Sequence, residues 1–94
     1  MAPPPDSLHP SELIRAADSL SGKRVVVVGW LQYEEENYSL WDTKEDRKAG
    51  NALTSCVSVL APEGLGLRRY HARYVFATVT FHNRLPEGIF LGKV

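Results

Sequence analysis

Cysteine is nearly absent. The single thiol, Cys56, can form no internal disulfide, so no covalent staple holds the fold and a reducing, cytoplasmic setting is expected. Long apolar runs are missing too. The longest aliphatic run, Val25–Val28, falls far short of the roughly 20 residues of a membrane span, so no membrane partner is expected. Net charge is absent as well, since eleven Lys+Arg balance eleven Asp+Glu. That argues against a protein that coats nucleic acid by bulk charge, while leaving room for local patches. The stretch from Met1 to Asp6 lacks the basic-then-apolar order of a signal peptide. Catalytic and metal signatures are also missing. There is no Cys-x-x-Cys or His-x-x-x-His pair, and His9, His71 and His82 fall in three separate segments. The expectation is therefore no enzyme, no cofactor and no metal.

What remains is enough for one small domain of 94 residues. Residues 1–8 carry three consecutive prolines and no periodicity, which reads as a flexible N-terminal arm with no fold of its own, ahead of a single domain over 9–94. From Pro10 the pattern turns helical: Leu13, Ile14, Ala17 and Leu20 lie on one stripe, with His9 as cap, Glu12 in the first turn and Gly22 as terminator. The spacing predicts one helix over 10–20. After Gly22 everything reads as strands and turns. Candidate strands are Arg24–Leu31, Tyr38–Asp42, Leu53–Leu60, Arg73–Phe81 and Ile89–Val94. Gly29 is expected at a bend of the first strand, and the charge-rich 42–51 is expected to be a solvated loop. The expected core includes Val25, Val27, Leu40, Val57, Val75, Val79 and Leu91.

Five short strands in so small a chain would leave two open edges if laid flat, and closure removes them. The predicted fold class is mainly β: an N-terminal helix followed by a strongly bent five-stranded antiparallel small barrel. The absence of a long helix between the third and fourth strands favours an Sm-like barrel. A single turn at Leu65–Arg69 would fit the OB-like alternative.

The run from Gly29 to Asp42, with Gly-x-Leu, an aromatic, an acid, Asn and then apolar-x-Leu-x-Asp, resembles the first motif of Sm and Sm-like RNA-binding proteins. Phe90–Val94 is similar to a shortened second motif. Here Lys93 follows Gly92 where the family has Arg before the glycine, and the loop acid is Glu rather than Asp. The resemblance implies a base-binding pocket for single-stranded RNA, with Tyr33 stacking, Glu34 and Asn37 on the base edge, and Gly92 and Lys93 from the second motif. Separately, Ser11–Ile14 and the run from Gly22 to Leu31 resemble a family of small bacterial β-barrel proteins with no assigned activity.

Charge is uneven along the chain despite its zero sum. Residues 33–46 carry six acids, whereas Arg68, Arg69, Arg73, Arg84 and Lys93 face only Glu87 after Leu67. The run Arg68 to Arg73 interleaves cations with Tyr70, a pattern that suits phosphate and base contacts or, more plainly, a solvated loop. Trp30, Tyr33, Tyr38 and Trp41 sit on two arms of one hairpin, as a stacking platform or as packing. Two readings result: a non-enzymatic module binding single-stranded RNA, or a protein-interaction module that associates with itself through strand edges.

Overall fold

The computed structural model describes residues 2–34, 37–61, 64–83 and 88–90. Helix α1 (Pro10–Arg15) starts as the sequence signals, with His9 before it and the Glu12 carboxylate accepting from the His9 backbone N–H at 2.9 Å. The Asp42 carboxylate accepts from Ser11 N at 2.8 Å, tying the positive end of the helix to the sheet. The single helix over 10–20 is corrected. It breaks at Ala16, and α2 (Ala17–Leu20) is a separate turn. Two bonds hold α2 to the end of the fourth strand: Asn83 Nδ2 to Asp18 at 2.7 Å and Asn83 N to Ser21 Oγ at 3.2 Å.

Strand β1 (Arg24–Glu34) is the hub of the sheet. Its residues 24–31 pair antiparallel with β4 (Arg73–His82), and its residues 30–34 pair antiparallel with β2 (Asn37–Trp41). Strand β3 (Cys56–Leu60) follows on the far side of β2, so β3-β2-β1-β4 make a strongly curled antiparallel sheet. The short β5 (Gly88–Phe90) runs antiparallel to β4 but parallel to β3, and it joins the two outer strands. An all-antiparallel arrangement is thereby corrected. β5 folds back on β4 as the second arm of a hairpin, His82 opposite Gly88, and therefore runs in the same direction as β3.

The charged 42–51 segment is also corrected, because it contains α3 (Lys44–Ala49). Thr43 Oγ1 accepts from Asp46 N at 3.0 Å, and Gly50 closes the helix with φ of 75°. The following α4 (Ala52–Ser55) takes the residues expected to begin the third strand. The proline-rich arm is likewise not free of structure at its end. Leu8 lies parallel to Val27, with Leu8 N donating to Val26 O and Val28 N donating to Leu8 O, both at 2.9 Å. It covers the stretch of β1 that β2 is too short to reach, which shields an edge.

The concave face holds the core: Leu13 from α1 with Val27, Leu31, Leu40, Val57, Val59, Val79, Phe81 and Ile89. Val25 and Val75 are half-buried rather than buried. Leu91 lies outside the described residues. No helix among the described residues is long and apolar enough to cross a membrane.

Candidate nucleic-acid interface

The hairpin β1–β2 brings three of the expected site residues together. Glu34 and Asn37 are register partners at its tip, and Tyr33 lies opposite Tyr38. Their side chains are engaged with the protein itself. Tyr33 and Tyr38 stack on each other, centroids 4.2 Å apart and 26° from parallel. Asn37 Oδ1 accepts from Ser39 Oγ at 3.3 Å, and Ser39 Oγ in turn accepts from Trp41 Nε1 at 3.0 Å. Trp30 and Trp41 are 7% and 8% exposed, so packing, not a stacking platform, is their role. Gly92 and Lys93, expected to complete the pocket, lie outside the described residues, as does Arg84.

Glu34 is held differently. His71 Nε2 lies 3.3 Å from its carboxylate, while His71 Nδ1 accepts from the Tyr33 backbone N–H at 3.0 Å. An amide N–H can only donate, so Nδ1 is the acceptor and Nε2 carries the ring proton toward Glu34. His71 thus pins the loop after β3 to the end of β1. Ala72 strengthens the joint, donating from N to Leu31 O at 2.8 Å, although its φ of 62° is the left-handed region that an alanine seldom enters.

The anchored loop presents the second set of expected residues. A 3-10 turn, Leu67–Tyr70, leaves Arg68 and Arg69 exposed, and Arg73 is exposed at the start of β4. Arg69 lies over the Tyr70 ring at 5.1 Å from its centroid. Tyr70 and Tyr74 are 39% and 58% exposed, the most open aromatic rings among the described residues. No acid occurs in the sequence from Gly64 to Asn83. Tyr74 was missed by sequence reasoning. Strand alternation places it on the outer face of β4, opposite Trp30, where its hydroxyl accepts from Lys44 N at 3.0 Å.

Two further polar groups, the Cys56 thiol and the acids at the start of α3, are held by burial and by capping. Burial pushes the Cys56 thiol up to about 11, outweighing a hydrogen bond with Ser39 that acts the other way. At pH 8, iodoacetamide should modify Cys56 roughly 100-fold more slowly than a free cysteine, from the lower thiolate fraction. Mass spectrometry would read this, and an equal rate would refute the burial. The unfolded chain ionises first, so the stability held by the neutral thiol is lost as pH rises from the unfolded value toward about 11. The second group is the acidic start of α3. Asn51 and Thr43 donate to the Asp46 carboxylate and lower its pKa, so this acid works as part of a helix cap. Among the described residues, no three His, Cys, Asp or Glu side chains are grouped to hold a metal ion.

Comparison of the chain with protein-family models, with curated proteins and with solved structures finds no match. The geometry alone must carry the reading.

Proposed function

We propose that this chain is a non-enzymatic binding module for single-stranded RNA, built on a small OB-like barrel. The observation that carries the reading is the joint exposure of Arg68, Arg69 and Arg73 with Tyr70 and Tyr74, on a surface whose sequence contains no acid from Gly64 to Asn83. Guanidinium groups follow the phosphates, and the two tyrosine faces stack bases. The Greek-key order, with β5 between β3 and β4, supports the OB-like alternative over the Sm-like one, as does the 3-10 turn between β3 and β4. The Sm-like resemblance would instead place the base at Tyr33, whose ring is already stacked on Tyr38.

The test is a titration of the intrinsic tryptophan emission with oligo-U and with a matched DNA strand at two salt concentrations. Tyr70→Ala and Tyr74→Ala should each weaken binding by about 1–3 kcal/mol. Replacing Arg68, Arg69 and Arg73 together by Gln should flatten the salt dependence by about two counterions, at about 0.7 per phosphate contact. Tyr33→Ala separates the arrangements: a loss equal to that of Tyr70→Ala would restore the hairpin pocket. No saturable binding to either strand at low salt would end the RNA reading.

One observation favours the second reading, self-association. The chain carries an acid-rich stretch, residues 33–46, and a cationic stretch, residues 68–73, which can pair between copies. A monomer by light scattering at high micromolar concentration would refute it.

A further inference from the structure

The concave face of the sheet opens beside the 3-10 turn into a groove of about 790 Å³. That volume lies within the roughly 300–1,000 Å³ of small-molecule pockets. Burial grades from floor to mouth. Leu31, Leu40 and Val79 are buried at the floor, Val75 and Ala77 are half-buried on the wall, and Arg73 is exposed at the mouth. Arg73 is the one charged side chain among the described lining residues.

The lining decides what fits. Below the two rim tyrosines, Tyr70 and Tyr74, the floor and the wall named above are entirely aliphatic. The polar edge of a nucleobase lowered into that space would lose its water without gaining a partner. A hydrocarbon chain has no such edge, and each methylene buried there strengthens binding about fourfold. A cation at the mouth with no neighbouring acid among the described lining residues then calls for an anionic end, and the flat fork of a guanidinium matches a carboxylate with two parallel hydrogen bonds. We propose that the groove binds a single-chain carboxylate amphiphile, its hydrocarbon tail along Val75 and Ala77 and its carboxylate on Arg73. This site lies beside the proposed RNA surface and shares only Arg73 and the rim tyrosines with it.

The probe is laurate, held below its critical micelle concentration and titrated into the full chain by calorimetry, with caprate and lauryl alcohol as comparisons. Laurate should bind saturably at one site. Caprate, two methylenes shorter, should bind roughly 15-fold more weakly, and lauryl alcohol at least about tenfold more weakly for want of the charged hydrogen bonds. Arg73→Gln should abolish the preference for laurate over the alcohol. Ala77→Phe, which fills the wall without touching the exposed arginines, should remove laurate binding and leave oligo-U binding in place, with its fold checked by circular dichroism. Should that variant not fold, the Arg73→Gln comparison decides alone. The proposal fails if laurate shows no saturable binding, if wild type does not distinguish laurate from the alcohol, or if folded Ala77→Phe binds laurate as wild type does. Loss of oligo-U binding with laurate binding intact would sink the RNA reading only.

Discussion

Replacing Gly29 by valine should lower stability by about 3 kcal/mol or more, the upper end of what overpacking a fixed interior costs. In a melt followed by circular dichroism this corresponds to a fall of roughly 12–24 °C for a domain of this size. Gly29 is buried where β1 leaves β4 for β2. A Cβ at this position would run into the Trp41 carbonyl oxygen and come within 3.0 Å of Leu40 Cγ. Neither neighbour can yield. The oxygen belongs to the backbone of a buried strand end, and Leu40 sits in the core. Even Gly29→Ala should show most of the loss, because the obstacle lies at the first side-chain carbon. An unchanged midpoint in both variants would mean that β2 does not approach β1 this closely.

Leu13→Ala should cost about 2–5 kcal/mol, the range for emptying a leucine site in a core. Leu13 is 0% exposed and is the one residue of α1 in the central cluster, so it couples the helix to the concave face of the sheet. A short helix of six residues has little stability of its own. Losing this anchor therefore removes the cover from that face as well as the methyl contacts. Leu53→Ala is the control, since Leu53 is 92% exposed on α4 and its removal should change stability by no more than about 0.5 kcal/mol. Denaturant midpoints for the two variants give the comparison directly. Equal midpoints would show that α1 does not belong to the core.

The elements legible in the sequence were those written in periodicity. The helical stripe around Leu13, the β-branched run into Gly29 and the alternation through β4 each have one physical reading over many residues. α3 was hidden for the opposite reason. Thr43 and Asp46 with Gly50 form its start and stop signals, but its six residues contain no apolar stripe, so local capping had to be trusted without periodicity. The pairing direction of β5 follows from the route of the chain and leaves no local mark. At the candidate site, the cationic run Arg68 to Arg73 was visible because it is contiguous. The role of His71 was invisible, since its partners Tyr33 and Glu34 lie 38 and 37 residues away and nothing in the sequence between them records the contact. The two hairpin tryptophans admitted two readings until burial chose packing.

The register of β1 has a consequence for how the chain acquires its fold. The β1–β2 hairpin joins near neighbours and can form in about 1–10 μs. The long ladder pairs Arg24 with Thr80, so it waits until a strand 56 residues further on has left the ribosome. Until then Val25–Val28 have no permanent partner strand. Closing so large a loop is paid for in chain entropy before any contact rewards it, which makes this the slow step of folding. During synthesis, the Leu8 backbone is already available to Val26 and Val28 on the edge of β1 opposite the one that β4 later takes, so one side of this run is covered well before the other.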